Sequence, residues 1–389
     1  MYKIQTFNNI AAAGLNCFPA DEFEVGPEVT SPAGILLRSH KLHGMDVSKN
    51  LVAVARAGAG VNNIPVEDLT EHGVVVFNTP GGNANAVKEL VAASLLLGSR
   101  DILGGSNYVQ SLGDVNDPDD LSKRLEKEKK RFAGSEVAGK TLGVVGLGAI
   151  GAMVANLALE LGMKVAGYDP AISVASAWRL SSRVLKVDSL DALVQNSDFV
   201  TLHIPANKHT QGLINADVLA KFRNGARLLN FARQQVVDIQ AVIAALDSGR
   251  LSGYITDFPV PELVGRRDVV MLPHIGASTQ EAEENCAVMA ASQLIEFLRN
   301  GNIENSVNFP RIHMSRNGGH RITFCNRNVP AVLGTVLNVL AERKINIIDM
   351  VNKSQGEAAY NIVDVESNPS ENVIREISKA EGVIRVRVV

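Results

Sequence analysis

Four side chains able to clamp an anion or move a proton each stand just after an apolar run. ARLLNFARQQVVD, residues 226–238, leaves its run at Asn230 and then presents Arg233. LSGYITDFPVPE, 251–262, presents Asp257 and, five residues on, Glu262. VVMLPHIGAST, 269–279, presents His274 after Pro273. A guanidinium offers a carboxylate a planar pair of donors. An imidazole can take a hydroxyl proton and return it near neutral pH. A carboxylate beside that imidazole holds its tautomer and favours its charged form. Taken singly, each has a plainer explanation: Arg233 and Glu262 as members of structural ion pairs, His274 as a strand-end histidine bonded to a backbone carbonyl. What would gather them is a parallel sheet, because the carboxyl ends of its strands line the ligand crevice.

The elements needed for such a sheet are written most clearly in KTLGVVGLGAIGAMVANLALELGMKVAGYDP, 140–170. A strand, TLGVV, runs into Gly146-x-Gly148-x-x-Gly151 with Ala149 and Ile150 inside the turn. The first glycine permits the tight turn, the second lets backbone approach a pyrophosphate, and the third packs helix against strand. The following helix offers its N-terminal amides and partial positive charge to the phosphates. A second strand, KVAGY, ends at Asp169, placed where an acid bonds the adenosine ribose 2′-hydroxyl. A carboxylate there repels a 2′-phosphate, so the expected cofactor is NAD rather than NADP. ARAGAGVNNI, 55–64, has Gly58 and Gly60 but Asn63 where a third glycine would fall, and no amphipathic helix follows. It reads as a tight loop whose amides could meet an anion.

A chain of 389 residues with 46% hydrophobic and 20% charged residues should fold into two or three domains with real cores. Its net charge of −3 gives no electrostatic reason to expect nucleic acid or an anionic membrane as partner. No apolar run approaches the roughly 18 residues of a spanning helix, and the N-terminus lacks the apolar core of a secretion signal. Cys17, Cys286 and Cys325 are odd in number and far apart, which suits reduced thiols in the cytoplasm. His40 and His43 have no cysteine or acid cluster to complete a metal site, and no metal is expected.

Short apolar runs at 34–38, 51–56 and 74–77 alternate with helical or turn-rich stretches, so a parallel sheet flanked by helices is expected at the N-terminus. Residues 83–100 read as a long apolar helix with Val87, Leu90, Val91, Ser94 and Leu95 along one stripe. DLSKRLEKEKKRF, 120–132, reads as a solvated helix face. NFPRIHMSRNGG has the chemistry of a linker, and the last 70 residues read as βαββαβ. The expected fold is α/β: two doubly wound parallel-sheet domains and a C-terminal ferredoxin-like domain. The expected limits are 1–97 with about 275–308 for a substrate-binding domain, 98–274 for the dinucleotide-binding domain, 309–319 for a linker, and 320–389 for the last domain.

GLGAIG with Asp169, TLHIP at 201–205, NFAR, TDFPVPE and PHIGAST stand in the order found in the D-isomer-specific 2-hydroxyacid dehydrogenases, which this chain resembles. LLRSH, RAGAGVN and VVFNTPGGNANAVKELV carry the resemblance into the N-terminal part. It implies that Arg233 clamps the substrate carboxylate, that His274 is the acid/base, and that Glu262 lies next to it. It also implies that Asp257, His203 and Pro205 lie against the cofactor, with Asp257 at the nicotinamide end. The implied substrate is a phosphorylated 2-hydroxy acid, D-3-phosphoglycerate, with Arg38, Arg56, Gly58 and Lys88 on the substrate side. Glyoxylate, D-lactate and 2-oxoglutarate are the alternatives, and a non-enzymatic NAD sensor is another class. The last 70 residues resemble an ACT domain, which implies pairing of chains in a homodimer or homotetramer and L-serine as effector at Asn328 and Asn346. The sequence departs from the family at Lys88, at Gln234-Gln235, and at Asn326 and Ala331.

Overall fold

The computed structural model describes residues 1–389, the side chain at position 175 excepted. The chain forms two compact units, Met1–Asn83 with Thr279–Val389, and Ala84–Ser278. In the first unit, strands β1 (Tyr2–Phe7), β2 (Phe23–Gly26), β3 (Gly34–Leu37), β4 (Ala53–Arg56) and β5 (Val75–Phe77) form a parallel sheet in the order β2-β1-β3-β4-β5. Its central strands are continuous apolar runs because both faces are covered: Leu36, Leu37, Ala53, Val54 and Ala55 are all 0% exposed. β1 and β2 are additions to the expected elements. The strand order reverses between β1 and β3, so ligands are expected at the carboxyl ends there. The helix Gln280–Asn300 lies in the same core through Ala290, Ala291 and Leu294. The Thr279 hydroxyl caps it, accepting from Ala282 N–H at 3.1 Å, and Gly301 ends it at φ +71°.

The second unit holds a parallel sheet of β6 (Thr141–Val145), β7 (Lys164–Tyr168), β8 (Leu185–Lys186), β9 (Phe199–Leu202), β10 (Ala226–Asn230), β11 (Leu251–Thr256) and β12 (Val269–Met271). Its order, β12-β11-β10-β9-β6-β7-β8, starts in the middle, runs outward through β8, then returns to the other side at β9. The switch point, where a dinucleotide is expected, lies between β6 and β9. Helix Ala84–Ser99 belongs to this unit and not to the N-terminal domain in which the sequence placed it. The reason is its apolar stripe: Val87, Val91 and Leu95 share a core with Val154, Ala155 and Ala158 of helix Ala149–Glu160.

The C-terminal part of the first unit carries β13 (His320–Arg327), β14 (Ile347–Gln355), β15 (Ala358–Val365) and β16 (Val383–Val388), paired antiparallel as β14-β15-β13-β16. Helices Val332–Glu342 and Glu371–Lys379 cover one face of this sheet with Val336, Leu340, Val373 and Ile377. The other face gives Cys325, Tyr360 and Ile362 to the core that also holds Phe77, Phe297 and Phe309. The segment expected as a linker is irregular but packed, with Phe309 and Ile312 at 0% exposure. Among the described residues no helix is long and apolar enough to cross a membrane.

Candidate active site

One row of paired residues organises the second unit. Tyr168, Val145, Leu202, Asn230, Thr256 and Met271 are partners in succession across β7, β6, β9, β10, β11 and β12. Each is the last residue of its strand. Asp169, Gly146, His203 and Asp257 come one residue after that row, and Arg233 and His274 come three after it. Candidates scattered over more than a hundred positions thus share one edge of one sheet. Five inter-strand steps of about 4.8 Å make that edge about 24 Å wide.

The residues at the switch point fit a dinucleotide. Gly146 has φ +88°, and a Cβ there would lie 2.6 Å from the His203 carbonyl oxygen. A Cβ on Gly151 would lie 1.9 Å from the Gly146 oxygen, whereas Gly148 faces open space. No side chain caps helix Ala149–Glu160, so its first amides stay available to phosphate. The Asp169 carboxylate accepts from Leu147 N–H at 2.8 Å and from Ala171 N–H at 2.9 Å, which fixes strand end and turn together. His203 is part-buried, with Nε2 3.0 Å from the Thr201 hydroxyl. Its Nδ1 is sealed and unpartnered, and burial pushes its pKa down to about 3, so the ring is neutral.

At the β10 end, the Asn230 side chain shapes the loop that carries Arg233. Its Oδ1 accepts from Ala232 N–H at 3.1 Å, and its amide donates to the Arg233 carbonyl at 3.0 Å. The Arg233 guanidinium is half-buried and donates to its own loop at Ala232 O, 2.6 Å away. Among the described residues no carboxylate lies within ion-pair distance of it. Burial lowers its pKa from the ordinary arginine value. A partly desolvated cation with no acid partner is a receptor for an external anion.

At the β12 end, His274 is exposed and adopts φ +57°. Among the described residues its ring makes no hydrogen bond, and Phe258 lies beside it with centroids 5.0 Å apart. The expected contact with Glu262 is not made: that residue is exposed in the single turn Pro261–Leu263 and forms no ion pair with His274. Asp257, expected at the nicotinamide end, is only 3% exposed. Its carboxylate accepts from Ile275 N–H at 2.8 Å and Gly276 N–H at 2.7 Å.

In the first unit, Arg38 and Arg56 stand at the carboxyl ends of β3 and β4. Arg38 pairs with Glu283 at 2.7 Å, both about two-fifths exposed. Arg56 donates to Arg38 O at 2.8 Å and to Gly60 O at 2.5 Å, folding over the loop, and a Cβ on Gly58 would lie 2.9 Å from its Nη1. Asn78 and Thr79, which the sequence reading passed over, pin the same loop: Asn78 donates to Ala59 O and Thr79 N–H to Gly58 O. The Oγ1 of Thr79 and Oδ1 of Asn63 and of Asn83 are buried without partners. The signal available was NTPGGN, a turn-rich polar cluster directly after an apolar strand. Lys88, in the second unit, lines a shallow cavity of about 520 Å³ with Met153, Asn156, Leu157 and Glu160, against the body of the nucleotide-site helix.

Residues 110–276 match the model of the D-isomer specific 2-hydroxyacid dehydrogenase NAD-binding domain. A D-3-phosphoglycerate dehydrogenase of Haemophilus influenzae is 32% identical over 368 residues, 91% of this chain and 85% of that protein. One of Escherichia coli is 31% identical over 370 residues, 91% of this chain and 86% of that protein. The chain belongs to the D-isomer-specific 2-hydroxyacid dehydrogenase family. Among solved structures, the NAD⁺-bound 3-phosphoglycerate dehydrogenase of Entamoeba histolytica superposes with a TM-score of 0.62 at 26% identity, over 80% of this chain and 99% of that one. Within this dehydrogenase, Gln234 and Gln235 are exposed in a 3-10 turn next to Arg233. In the C-terminal sheet domain, Asn328 donates to Gly356 O at 3.0 Å and Asn346 is exposed. Ala331 takes φ +73°, a conformation that suits glycine.

Proposed function

We propose that this dehydrogenase uses NAD to oxidise the 2-hydroxyl of D-3-phosphoglycerate to 3-phosphohydroxypyruvate, the entry to L-serine synthesis. The observation that carries the reading is Arg233, a half-buried guanidinium without an acid partner among the described residues, on the same sheet edge as His274 and the glycine turn. Arg233 would hold the substrate carboxylate bidentately and so fix C2. His274 would take the hydroxyl proton as the carbonyl forms, and return it in the reverse direction. Bound NAD supplies the acceptor for the C2 hydrogen and its electron pair. Gly146, Gly148, Ala149, Ile150 and Gly151 would carry the pyrophosphate, Asp169 the ribose, and His203 with Pro205 the adjoining wall.

The phosphate is assigned to Arg38, supported by Arg56 and the amide of Gly58. An ion pair as exposed as Arg38–Glu283 is worth at most about 1 kcal/mol, so a dianionic phosphate can displace the glutamate. Absorbance at 340 nm with a panel of 2-hydroxy acids tests the reaction. Arg38→Gln should lower kcat/KM for phosphoglycerate by at least about tenfold while leaving unphosphorylated acids unaffected. An unchanged kcat/KM for phosphoglycerate in the variant, or a parent kcat/KM for lactate or glyoxylate that matches the one for phosphoglycerate, would overturn the substrate assignment.

We assign the enzyme to the cytoplasm and to a homodimer or homotetramer. Helices Ile102–Gln110 and Pro118–Glu128 bury no residue, and Ile102, Leu103 and Val109 are 43%, 44% and 46% exposed, as suits a face covered by a second copy. Light scattering that gives a monomer at micromolar concentration would reject this. The C-terminal domain reads as an ACT module with L-serine bound near Asn328 and Asn346. Equilibrium dialysis with labelled serine decides it, no uptake at millimolar serine being the negative result.

A further inference from the structure

We propose that the seam between the C-terminal sheet and the end of helix Gln280–Asn300 binds a small inorganic monoanion of the chloride type, held by Arg387, Tyr360 and Thr323. The three residues share one face of the sheet: Thr323 pairs with Arg387 across β13 and β16, and Cys325, two residues on, pairs with Tyr360 of β15. The helix end meets that face at the same place. The Phe297 ring centroid lies 4.5 Å from Arg387 Cζ, and Arg387 Nη2 donates to Leu298 O at 3.3 Å. A Cβ on Gly301 would lie 2.4 Å from Thr323 Cγ2 and 3.4 Å from Tyr360 Oη. Thr323 and Tyr360 are 1% and 3% exposed, and Arg387, half-buried as a residue, has its Nη1 sealed from solvent. Among the described residues, Thr323 Oγ1, Tyr360 Oη and Arg387 Nη1 have no hydrogen-bonding partner.

What these groups lack is negative charge. Asp364, an acid on the same face, gives both oxygens to Arg321 at 2.7 Å each. Among the described residues Arg387 forms no ion pair, and neither does Arg385, which stands two residues before it on β16 and donates to Leu51 O. Burial pushes the Tyr360 phenol up to about 12, against the pull of Arg387 and Thr323, and pushes the Cys325 thiol to about 12 as well. Both stay protonated near neutral pH, so neither serves as a counter-charge. The face of Phe297 softens the desolvation of Arg387 but carries no net charge. Leu298 O, which Arg387 shares, already accepts from the Tyr2 hydroxyl at 2.9 Å. One N–H and two O–H donors without acceptors, beside a desolvated cation, call for an acceptor that also brings charge. A single-atom anion meets both demands, and a water molecule only the first.

Hydrogen–deuterium exchange on the full chain reads the site locally and does not depend on the reaction. In peptides covering β13 and β16, exchange should be slower in chloride than in gluconate of equal ionic strength, by the factor 1 + [Cl⁻]/Kd. At about 200 mM chloride a Kd of about 20 mM gives about a tenfold slowing. Tyr360→Phe keeps the ring and removes one donor to the ion, so the chloride effect should shrink to less than about twofold. Arg387→Met removes the charge that needs neutralising and should show no chloride effect. Circular dichroism checks that each variant is folded, and Tyr360→Phe decides the matter if Arg387→Met is not. Crystals grown in bromide should show an anomalous diffraction peak beside Arg387 Nη1. An equal chloride effect in the parent and in Tyr360→Phe would overturn the proposal, as would density at that position that refines as water in bromide. A bromide peak without any chloride effect on exchange would mark an adventitious ion only, and the proposal would fall with it.

Discussion

His203 must stay neutral to remain where it is, since its Nδ1 is shut away from water and from any acceptor. Its folded-state pKa of about 3 lies below the ordinary 6.5 because burial penalises the charged ring. Between those values the unfolded chain binds a proton that the native chain refuses, so stability rises with pH across the window and is lost as pH falls below about 6.5. At pH 5 the difference is about 1.5 units, or about 2 kcal/mol from this residue alone. His203→Asn removes the titrating ring. Urea unfolding at pH 7.5 and pH 5.0 should show a smaller acid loss in the variant than in the parent, by about that amount. Equal losses in the two proteins would mean that the ring protonates in place.

Elements are where sequence and structure agree most closely, and the glycine turn shows why. Three glycines between a strand and a helix encode backbone geometry directly: at Gly151 any Cβ would meet the Gly146 oxygen at 1.9 Å. Gly151→Ala should therefore push helix Ala149–Glu160 off the turn and weaken NADH binding by at least about tenfold. Isothermal titration reads this, and an unchanged Kd would show that the helix can yield. Other elements were less legible. β1 alternates Lys3 and Gln5 with the buried Ile4 and Thr6 and so lacks the apolar run that marked β3 and β4. Helix Ala84–Ser99 was visible as an element, but its stripe could not say which sheet it serves. The same limit applies to side-chain direction. Glu262 stands at the family spacing, yet among the described residues it forms no ion pair with His274, because spacing fixes a turn and not a side-chain contact. The bonds that the Asp257 carboxylate accepts come from the backbone amides of Ile275 and Gly276, which leave no letter in the sequence.

At the scale of the first unit, one buried ion pair inside the C-terminal sheet ties that sheet to the end of helix Gln280–Asn300 and to the segment after it. Arg321, at 0% exposure, uses all five of its N–H groups. Nε and Nη2 donate to the two oxygens of Asp364 at 2.7 Å each. Nη1 also donates to Asn300 O and Met314 O, both at 2.9 Å, and Nη2 to Ser315 O at 3.0 Å. The guanidinium thereby ties β13 and β15 to the end of helix Gln280–Asn300 and to the packed segment between them. Arg321→Met strands a buried carboxylate and orphans three carbonyls, and should cost about 3–5 kcal/mol. Asp364→Leu leaves the arginine its three carbonyls but not its counter-charge, and should also destabilise. In the double variant no buried charge remains, so most of the loss should be regained. Recovery should stop short of the parent by about 1–3 kcal/mol, because the carbonyls of Asn300, Met314 and Ser315 stay without a donor. A double-mutant cycle by urea unfolding measures the coupling, which should be large and favourable to the pair. Simple additivity of the two single losses would show that the sheets are held by their shared apolar core, Phe297, Phe309 and Tyr360, with the ion pair as a passenger.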